Sequence, residues 1–282
     1  MKRCIALLLV LVLLLSACSI GVEPPATSAD LPSESTGKET ELPETKETEL
    51  PETKATEPPE TKATEPPETQ GTEPPHSQFY IPGVSVADVI RYFNEVCLAA
   101  EFSDGGDPSV LQRWEIPICY KLNGMPTQDD IAVLEGFVKW LNTIEGFPGI
   151  KKSESPEERV NLNFHFCKQS EIIPILGPNF TNVDGGVTFW YQNNAIYSEI
   201  ICVRNDMDQK LRNSVIQEEL YNGLGPVQDT DLRPDSIIYS QFSQPQSLTE
   251  VDELILRLLY HPNLKPGMNR TQCEKIIRQL YY

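Results

Sequence analysis

The sequence predicts an α+β fold, with a mixed twisted sheet of about five strands, two long helices, and extra helices at the N- and C-terminal ends. Apolar residues recur at helical spacing in five segments between residue 85 and the C-terminus. Between these segments lie runs in which apolar and polar residues alternate, as they do in half-buried strands. Helices and strands therefore follow one another along the chain, which favours layered α/β or α+β packing over a β-sandwich.

The helices are predicted from their apolar spacing and their capping residues. The first two segments are 85–102, with Ser85 as its N-cap, and 127–145. The third opens at Asp206 and contains residue 218. The last two are 248–262, with Thr249 and Asp252 as its capping pair, and 271–281. In the third helix, Ile216, Leu220 and Leu224 form the predicted core-facing stripe.

The strands are predicted from two-residue alternation and from turn residues at their ends. The segments are RWEIPICYKLNG (113–124), VNLNFHFC (160–167), IIPIL (172–176), VTFWYQ (187–192) and YSEIICVR (197–204). The first is expected to be one continuous strand that ends at Asn123-Gly124.

Residues 1–18, MKRCIALLLVLVLLLSAC, have the composition of a signal peptide, with Lys2 and Arg3 before an apolar run that is too short to span a bilayer comfortably. The final LSAC resembles the lipobox of bacterial lipoproteins, and the resemblance implies that Cys18 is lipidated and becomes the mature N-terminus. An ordinary secretory signal with an incidental cysteine is the alternative. The expected location is the extracellular face of the bacterial cell membrane, to which the lipid on Cys18 would anchor the protein.

Residues 19–78 have the composition of a disordered stalk. They contain no aromatic residue, hold 11 of the 24 prolines, and include an octapeptide repeat from Thr40 of the type TELPETKE and TEPPETKA. Such a segment buries too little apolar surface to offset the loss of chain entropy, and its prolines favour extended polyproline II. Residues 79–282 remain as one domain with a sizeable core.

Charge and cysteine content bear on the ligands that the domain can bind. The stalk has 4 Lys against 14 Asp or Glu, and residues 79–282 have 17 basic against 27 acidic residues. An acidic domain on an acidic stalk lacks the basic face that phosphate contacts require, so nucleic acid is not an expected partner. The domain has no CxxC spacing, and the pairing among its cysteines stays open; they are Cys97, Cys119, Cys167, Cys202 and Cys273.

The stretch EELYNGLGPVQD, residues 218–229, has the spacing of a metalloprotease helix without its zinc ligands. It resembles the metzincin motif HExxHxxGxxHD, in which Glu219, Gly225 and Asp229 match. The three ligand histidines are replaced by Glu218, Asn222 and Gln228.

A second resemblance lies downstream, in PDSIIYSQFSQPQSLTEVDELILRLLYHP, which is similar to the tail of matrixin-like metzincins. Ile237, Ile238 and Tyr239 stand where those proteins have the Met-turn, so Ile238 replaces the methionine. Leu248, Asp252, Leu259 and Tyr260 correspond to the helix that follows. The resemblance covers about residues 105–261 and implies a zincin-like fold with a degenerate catalytic site, in an uncharacterised family of bacterial surface lipoproteins.

Three roles stay open for the degenerate site. Glu218, Asn222 and Gln228 could bind calcium or magnesium through oxygen atoms, with added charge from Asp229 and Asp231. Glu218 and Glu219 could act as an acid-base pair without metal, although adjacent helical positions point about 100° apart. Glu219 could instead be a hydrogen-bond anchor. The sequence predicts no cofactor and no bound metal.

The predicted function is that of a lipid-anchored extracellular protein whose metalloprotease-like domain is catalytically inactive and serves as a binding module. Its expected ligand is a peptide or a cell-envelope protein, held by strand addition at the edge that residues 187–192 form. The alternatives are an active hydrolase that uses Glu219 with an atypical metal site, and a structural spacer without a specific ligand.

Overall fold

The computed structural model describes residues 77–98, 110–241 and 243–282. The predicted signal peptide, the lipidation site Cys18 and the stalk up to residue 76 lie outside the described residues, as does the end of the first predicted helix. The described part contains six helices and a mostly parallel six-stranded sheet, which confirms the predicted α+β class. None of the helices in this part is both long and apolar enough to cross a membrane.

Helices and strands are numbered separately, each in chain order. The helices are α1 (Val86–Leu98), α2 (Gln128–Leu141), α3 (Gln169–Leu176), α4 (Gln209–Gly223), α5 (Glu250–Leu259) and α6 (Arg270–Tyr281). The strands are β1 (Arg113–Trp114), β2 (Ile118–Gly124), β3 (Ile150–Lys152), β4 (Leu162–Cys167), β5 (Gly185–Gln192) and β6 (Ala195–Arg204).

The sheet has the order β1-β6-β4-β2-β3, and all of these neighbours are parallel. Strand β5 is antiparallel and, among the residues that the structure describes, pairs with β6 alone, so it forms an edge of this sheet. The β5–β6 hairpin turns at Asn193 and Asn194, whose φ angles are 52° and 62°. Positive φ at both central positions is the requirement of a type I′ turn, which asparagine tolerates.

Different elements pack on the two faces of the sheet, as two adjacent glycines of β5 show. A Cβ at Gly185 would lie 2.6 Å from the Val215 side chain of α4, whereas a Cβ at Gly186 would lie 2.5 Å from the ring of Phe180. Helix α4 therefore packs on one face, where α2 adjoins it. The other face carries α3 and a small apolar cluster that includes Cys167 and Cys202.

A buried ion pair joins the first turns of α2 and α4. Arg212 Nε lies 2.7 Å from Asp130 Oδ1, and both side chains are almost completely buried. Asp130 also accepts the backbone N–H of Thr127 at 2.7 Å and thereby closes the capping box that begins α2. Arg212 donates a further hydrogen bond to the carbonyl of Asn205. The pair thus has the additional hydrogen bonds that a buried charge needs.

Two strand predictions are wrong. The segment 113–124 is not continuous, because it breaks around Pro117 into β1, which pairs with β6, and β2, which pairs with β3 and β4. Proline cannot donate to a ladder and therefore interrupts strands. The segment 172–176 is helical and forms the end of α3. Glu171 accepts the backbone N–H of Lys168 at 2.7 Å at the start of that helix.

Helix α4 also differs from its prediction. It begins after Asp208, which accepts the N–H of Lys210 at 2.9 Å, and not at Asp206, which binds Arg204 instead. Its residues from Ser214 to Gly223 are all buried, so no single stripe faces the core. A helix enclosed on all sides has no polar face to reveal its orientation. The short strand β3 was not predicted.

Candidate functional site

The degenerate motif lies in the second half of α4, inside the domain. Glu218, Glu219 and Asn222 are 2 %, 3 % and 1 % exposed. Glu219 lies against β5, where a Cβ at Gly185 would come within 2.7 Å of Glu219 Oε1. The absence of a side chain at Gly185 therefore lets the carboxyl of α4 approach the edge strand closely.

Gly225 ends the helical region with a backbone conformation that other residues rarely adopt. Its φ is +128°, and a Cβ there would lie 2.6 Å from the carbonyl oxygen of Gln112. The chain then turns so that the N–H of Gln228 donates to the Val96 carbonyl at 3.3 Å. This bond attaches the loop after α4 to the C-terminal end of α1.

The structure brings only part of the predicted set together. Asn222 Nδ2 donates to Asp229 Oδ1 at 3.5 Å. Asp229 lies four residues after the bend at Gly225. The side chain of Gln228 is half-buried, and its backbone N–H donates to the Val96 carbonyl. Asn222 and Asp229 are thus neighbours, while the backbone of Gln228 is bound to α1.

The turn that the resemblance places at residues 237–239 packs beneath this loop. Ile238 is fully buried, and its carbonyl accepts the Thr230 N–H at 2.9 Å. Tyr239 is half-buried and pairs with Thr230 in an isolated parallel bridge. The side chain at the methionine position therefore serves as core packing.

Asp252 is the centre of a buried hydrogen-bond network that holds this turn. Its carboxylate accepts the Ser236 hydroxyl at 2.8 Å and the Ile237 N–H at 3.2 Å, and it closes the capping box of α5 with Thr249. Its backbone carbonyl accepts the Tyr221 hydroxyl of α4 at 2.9 Å. Asp252 thus joins the turn and the start of α5 through its carboxylate and the motif helix through its backbone carbonyl.

Helix α1 contributes a residue to the same network that sequence reasoning missed. Tyr92 Oη lies 2.9 Å from Asp252 Oδ1 and 2.7 Å from the Ser236 hydroxyl. Burial, and then the neighbouring charge of Asp252, raise the pKa of the Tyr92 phenol, which therefore stays neutral. Tyr92 lies outside the stretch that resembles metzincins, and its place on the buried face of α1 gives no sign of a polar partner.

A second missed residue is Glu199, in the middle of β6. It is fully buried, and among the described residues neither carboxyl oxygen has a hydrogen-bond partner. Burial raises the pKa of Glu199 well above its ordinary value, so the carboxyl is held in its neutral form. It lies against α4, since a Cβ at Gly223 would be 1.5 Å from Glu199 Oε1. A glutamate inside the apolar run IYSEIICV is the signal that could have identified it.

The two histidines of the described part do not rebuild a zinc site. His165 lies on β4 with Asn123 Nδ2 3.5 Å from its Nε2, and His261 follows α5 and accepts the Asn263 N–H at 3.1 Å. Partial burial lowers the pKa of both imidazoles. Within the described residues, no three His, Cys, Asp or Glu side chains form a metal-binding group.

The donor set at the motif does not fit zinc. Zinc in proteins is bound by imidazole, thiolate and carboxylate groups, whereas this motif offers one carboxylate, from Glu218, and the amides of Asn222 and Gln228. The amide of Asn222 already donates to Asp229. No catalytic step through a zinc ion follows from these residues.

The tip of the β5–β6 hairpin is an exposed aromatic surface. Trp190 and Tyr191 are half-buried, and Tyr197 is 42 % exposed. The register of the β5–β6 ladder shifts between Trp190 and Tyr191. Trp190 pairs with Ser198, whereas Tyr191 pairs with Ile196. Tyr197 is the extra residue of this bulge, and bulges redirect side chains in this way.

The cysteines of the described part are free thiols, and four of the five are buried. Cys167 of β4 and Cys202 of β6 share a hydrogen bond, which raises the pKa of the Cys202 thiol together with burial. These thiols pack as small apolar side chains.

Comparison with known proteins gives one result. A search of curated proteins found no match. A search against protein families matched residues 86–279 to the family described as "Protein of unknown function (DUF2927)". The match begins at the first residue of α1 and ends two residues before the end of α6, so it covers all the other helices and strands described above. The chain therefore belongs to the DUF2927 family.

Proposed function

We propose that the domain is a non-catalytic binding module, in which the metzincin-like helix has become part of the core and the β5–β6 hairpin contacts the ligand. The protein would act outside the cell, attached to the membrane by the lipid on Cys18. The main support for this binding surface is that β5, within the described residues, pairs with β6 only and ends in accessible aromatic residues.

The arrangement after α4 supports a zincin-like origin for this core. Gly225 bends the chain at the position where the resemblance expects a bend, and the turn at Ile237–Tyr239 packs under the same loop. The antiparallel edge strand β5 lies directly beside Glu219 of α4. A helix packed beside an antiparallel edge strand is the arrangement that the zincin-like resemblance implies.

Burial and side-chain chemistry support the loss of catalysis. A general base must reach the substrate or its water, within about 3 Å. Glu218 and Glu219 are almost completely buried, and amides stand in place of the imidazole ligands. The motif is therefore suited to holding α4 against β5 and the following loop.

The contact surface is limited to one end of the edge strand. Residues 185–189 are buried, while Trp190 and Tyr191 are partly accessible and Gln192 is exposed. An extended peptide could add its backbone to this end of β5 and pack its side chains on the aromatic rings. Tyr197, turned outward by the bulge, would lie at the side of such a peptide.

The binding test uses the full mature chain as bait for a library of random linear peptides. An enriched peptide, synthesised and labelled, should bind the wild type and lose at least about tenfold in affinity with Trp190→Ser/Tyr197→Ser, because aromatic residues supply much of the energy at interfaces. Met125→Ser is the matched control, since Met125 is also exposed but lies at the far end of β2. Equal affinity in the two variants, or no enriched peptide, would overturn the proposal.

A separate assay tests the proposed loss of catalysis. A mixture of unlabelled peptides is incubated with wild type and with Glu219→Gln, and the products are identified by mass spectrometry. We expect no cleavage that depends on Glu219. Cleavage by the wild type that disappears in Glu219→Gln would make the protein a hydrolase and contradict the proposal.

A further inference from the structure

A groove lies along the contact between α1 and α6. It has a volume of about 510 Å³, and its lining includes three arginines, Arg91 of α1 and Arg270 and Arg278 of α6. Its floor is apolar, with Ala87 and Ile90 of α1. The groove therefore combines apolar contact area with guanidinium groups on both walls.

The arginines are available for a ligand. All three are exposed, and within the described residues none forms an ion pair; the pairs that do form involve other cations. The two carboxylates of the groove already accept hydrogen bonds from the protein. Glu95 accepts the Thr230 hydroxyl at 2.8 Å, and Glu274 accepts Asn94 Nδ2 at 2.7 Å.

This concentration of arginine contrasts with the rest of the domain. Residues 79–282 contain 17 basic and 27 acidic residues, so most of the surface repels anions. An anionic ligand approaching the domain would be attracted to this groove in preference to the remaining surface.

The composition of the groove selects the kind of anion. Glu95 and Glu274 repel any anion, but they repel a densely charged phosphate polymer more strongly than a peptide with two carboxylates, and the polymer would leave Ala87 and Ile90 without an apolar partner. An acidic peptide fits better, because its carboxylates can accept paired hydrogen bonds from guanidinium forks while an apolar side chain covers the floor.

The spacing of the arginines sets the spacing of the carboxylates. Arg270 and Arg278 are eight positions apart on α6, a separation of about 12 Å along the helix axis. An extended peptide covers about 13 Å in four residues. We propose that the α1–α6 groove binds an extended acidic peptide segment of a partner protein, with two carboxylates four residues apart and an apolar residue between them.

The test measures binding of a fluorescent synthetic peptide with the core Glu-Ser-Leu-Ser-Glu to the full mature chain, by anisotropy, at about 20 mM salt. Binding should weaken at least about tenfold at about 300 mM salt, because exposed ion pairs are screened. A peptide with the core Gln-Ser-Leu-Ser-Gln should not bind.

The variants separate this groove from general electrostatic attraction. Arg91→Gln/Arg270→Gln/Arg278→Gln should abolish binding, whereas Lys139→Gln/Lys152→Gln/Arg159→Gln, which removes the same charge from exposed positions elsewhere, should leave it unchanged. Equal binding by the two triple variants would overturn the proposal, as would the absence of binding at low salt. Tripolyphosphate that competes as strongly as the peptide would show an unselective anion site and would also overturn it.

Discussion

Tyr92 of α1 hydrogen-bonds through its phenol to the buried carboxylate of Asp252, 160 residues later in the chain, at 2.9 Å. The same carboxylate begins α5 and holds the turn at Ser236 and Ile237. Helix α1 is thereby attached to the part of the domain that follows α4.

Loss of that hydrogen bond should destabilise the domain. Tyr92→Phe keeps the packing of the ring and removes one donor to a buried carboxylate, so we expect the free energy of unfolding to fall by about 1–3 kcal/mol. Urea denaturation measures it. Tyr197→Phe, at an exposed tyrosine, is the control and should change nothing. A Tyr92→Phe protein as stable as wild type would show that the network does not depend on this bond.

The buried carboxyl of Glu199 should make stability depend on pH. Burial raises its folded pKa above the unfolded value, which is about 4.3. The folded state then binds the proton more tightly, so its stabilisation is complete below the unfolded pKa and is lost as pH rises toward the folded pKa. Each unit of the shift corresponds to about 1.4 kcal/mol.

Glu199→Gln cannot ionise and should remove this dependence. Between pH 5 and pH 8 we expect the free energy of unfolding to fall more steeply in the wild type than in the variant, as followed by urea denaturation at each pH. Glu135→Gln, on the exposed side of α2, should leave the wild-type slope in place. Parallel slopes for wild type and Glu199→Gln would refute the assignment.

The contact between Gly223 and Glu199 predicts an unusual pair of glycine substitutions. Gly223→Ala should destabilise by about 1–3 kcal/mol, because its Cβ would lie 1.5 Å from Glu199 Oε1 inside the core. Gly136→Ala, in α2, meets nothing within 4 Å and should stabilise by about 0.5–1 kcal/mol.

A double-mutant cycle identifies the cause of the Gly223 effect. If the clash with Glu199 is responsible, adding Glu199→Ala should reduce the cost of Gly223→Ala, which gives a coupling energy above about 0.5 kcal/mol. Thermal or urea denaturation of the four proteins supplies the values. Strictly additive effects would place the clash elsewhere.

The lipid anchor is a prediction from sequence alone. Cys18→Ala should release the protein from the membrane fraction, because the signal-directed lipid is the hydrophobic attachment that the sequence predicts. Cys4→Ala, in the same predicted signal peptide, should leave the protein in that fraction. Fractionation with a high-salt wash and immunoblotting decides between them; a Cys18→Ala protein that stays bound contradicts the lipobox assignment.

Local signals predicted the elements whose ends are determined by residues three apart. The predicted capping box Thr249–Asp252 begins α5, because both hydrogen bonds of such a box form within one turn. The run of β4 was recognised for a similar reason, since burial alternates along it from Leu162 to Phe166.

Tertiary structure decided what depends on distant neighbours. The run IIPIL is helical because Ile172 and Leu176, four residues apart, pack into one cluster with Phe180 and Cys202. An apolar run this short fits either a strand or a helix, and only its packing partners distinguish them.

The candidate sites divide in the same way. The sequence by itself determined that residues 218–229 have metzincin spacing without the histidines, because spacing and residue type are written in the chain. Only the fold determined that Glu218 and Glu219 are buried, that Tyr92 reaches Asp252, and that Arg91 faces Arg270 and Arg278 across a groove. Burial and pairing depend on which helices pack together, and that is settled by the free energy of the whole core, whose contacts join residues far apart in the chain.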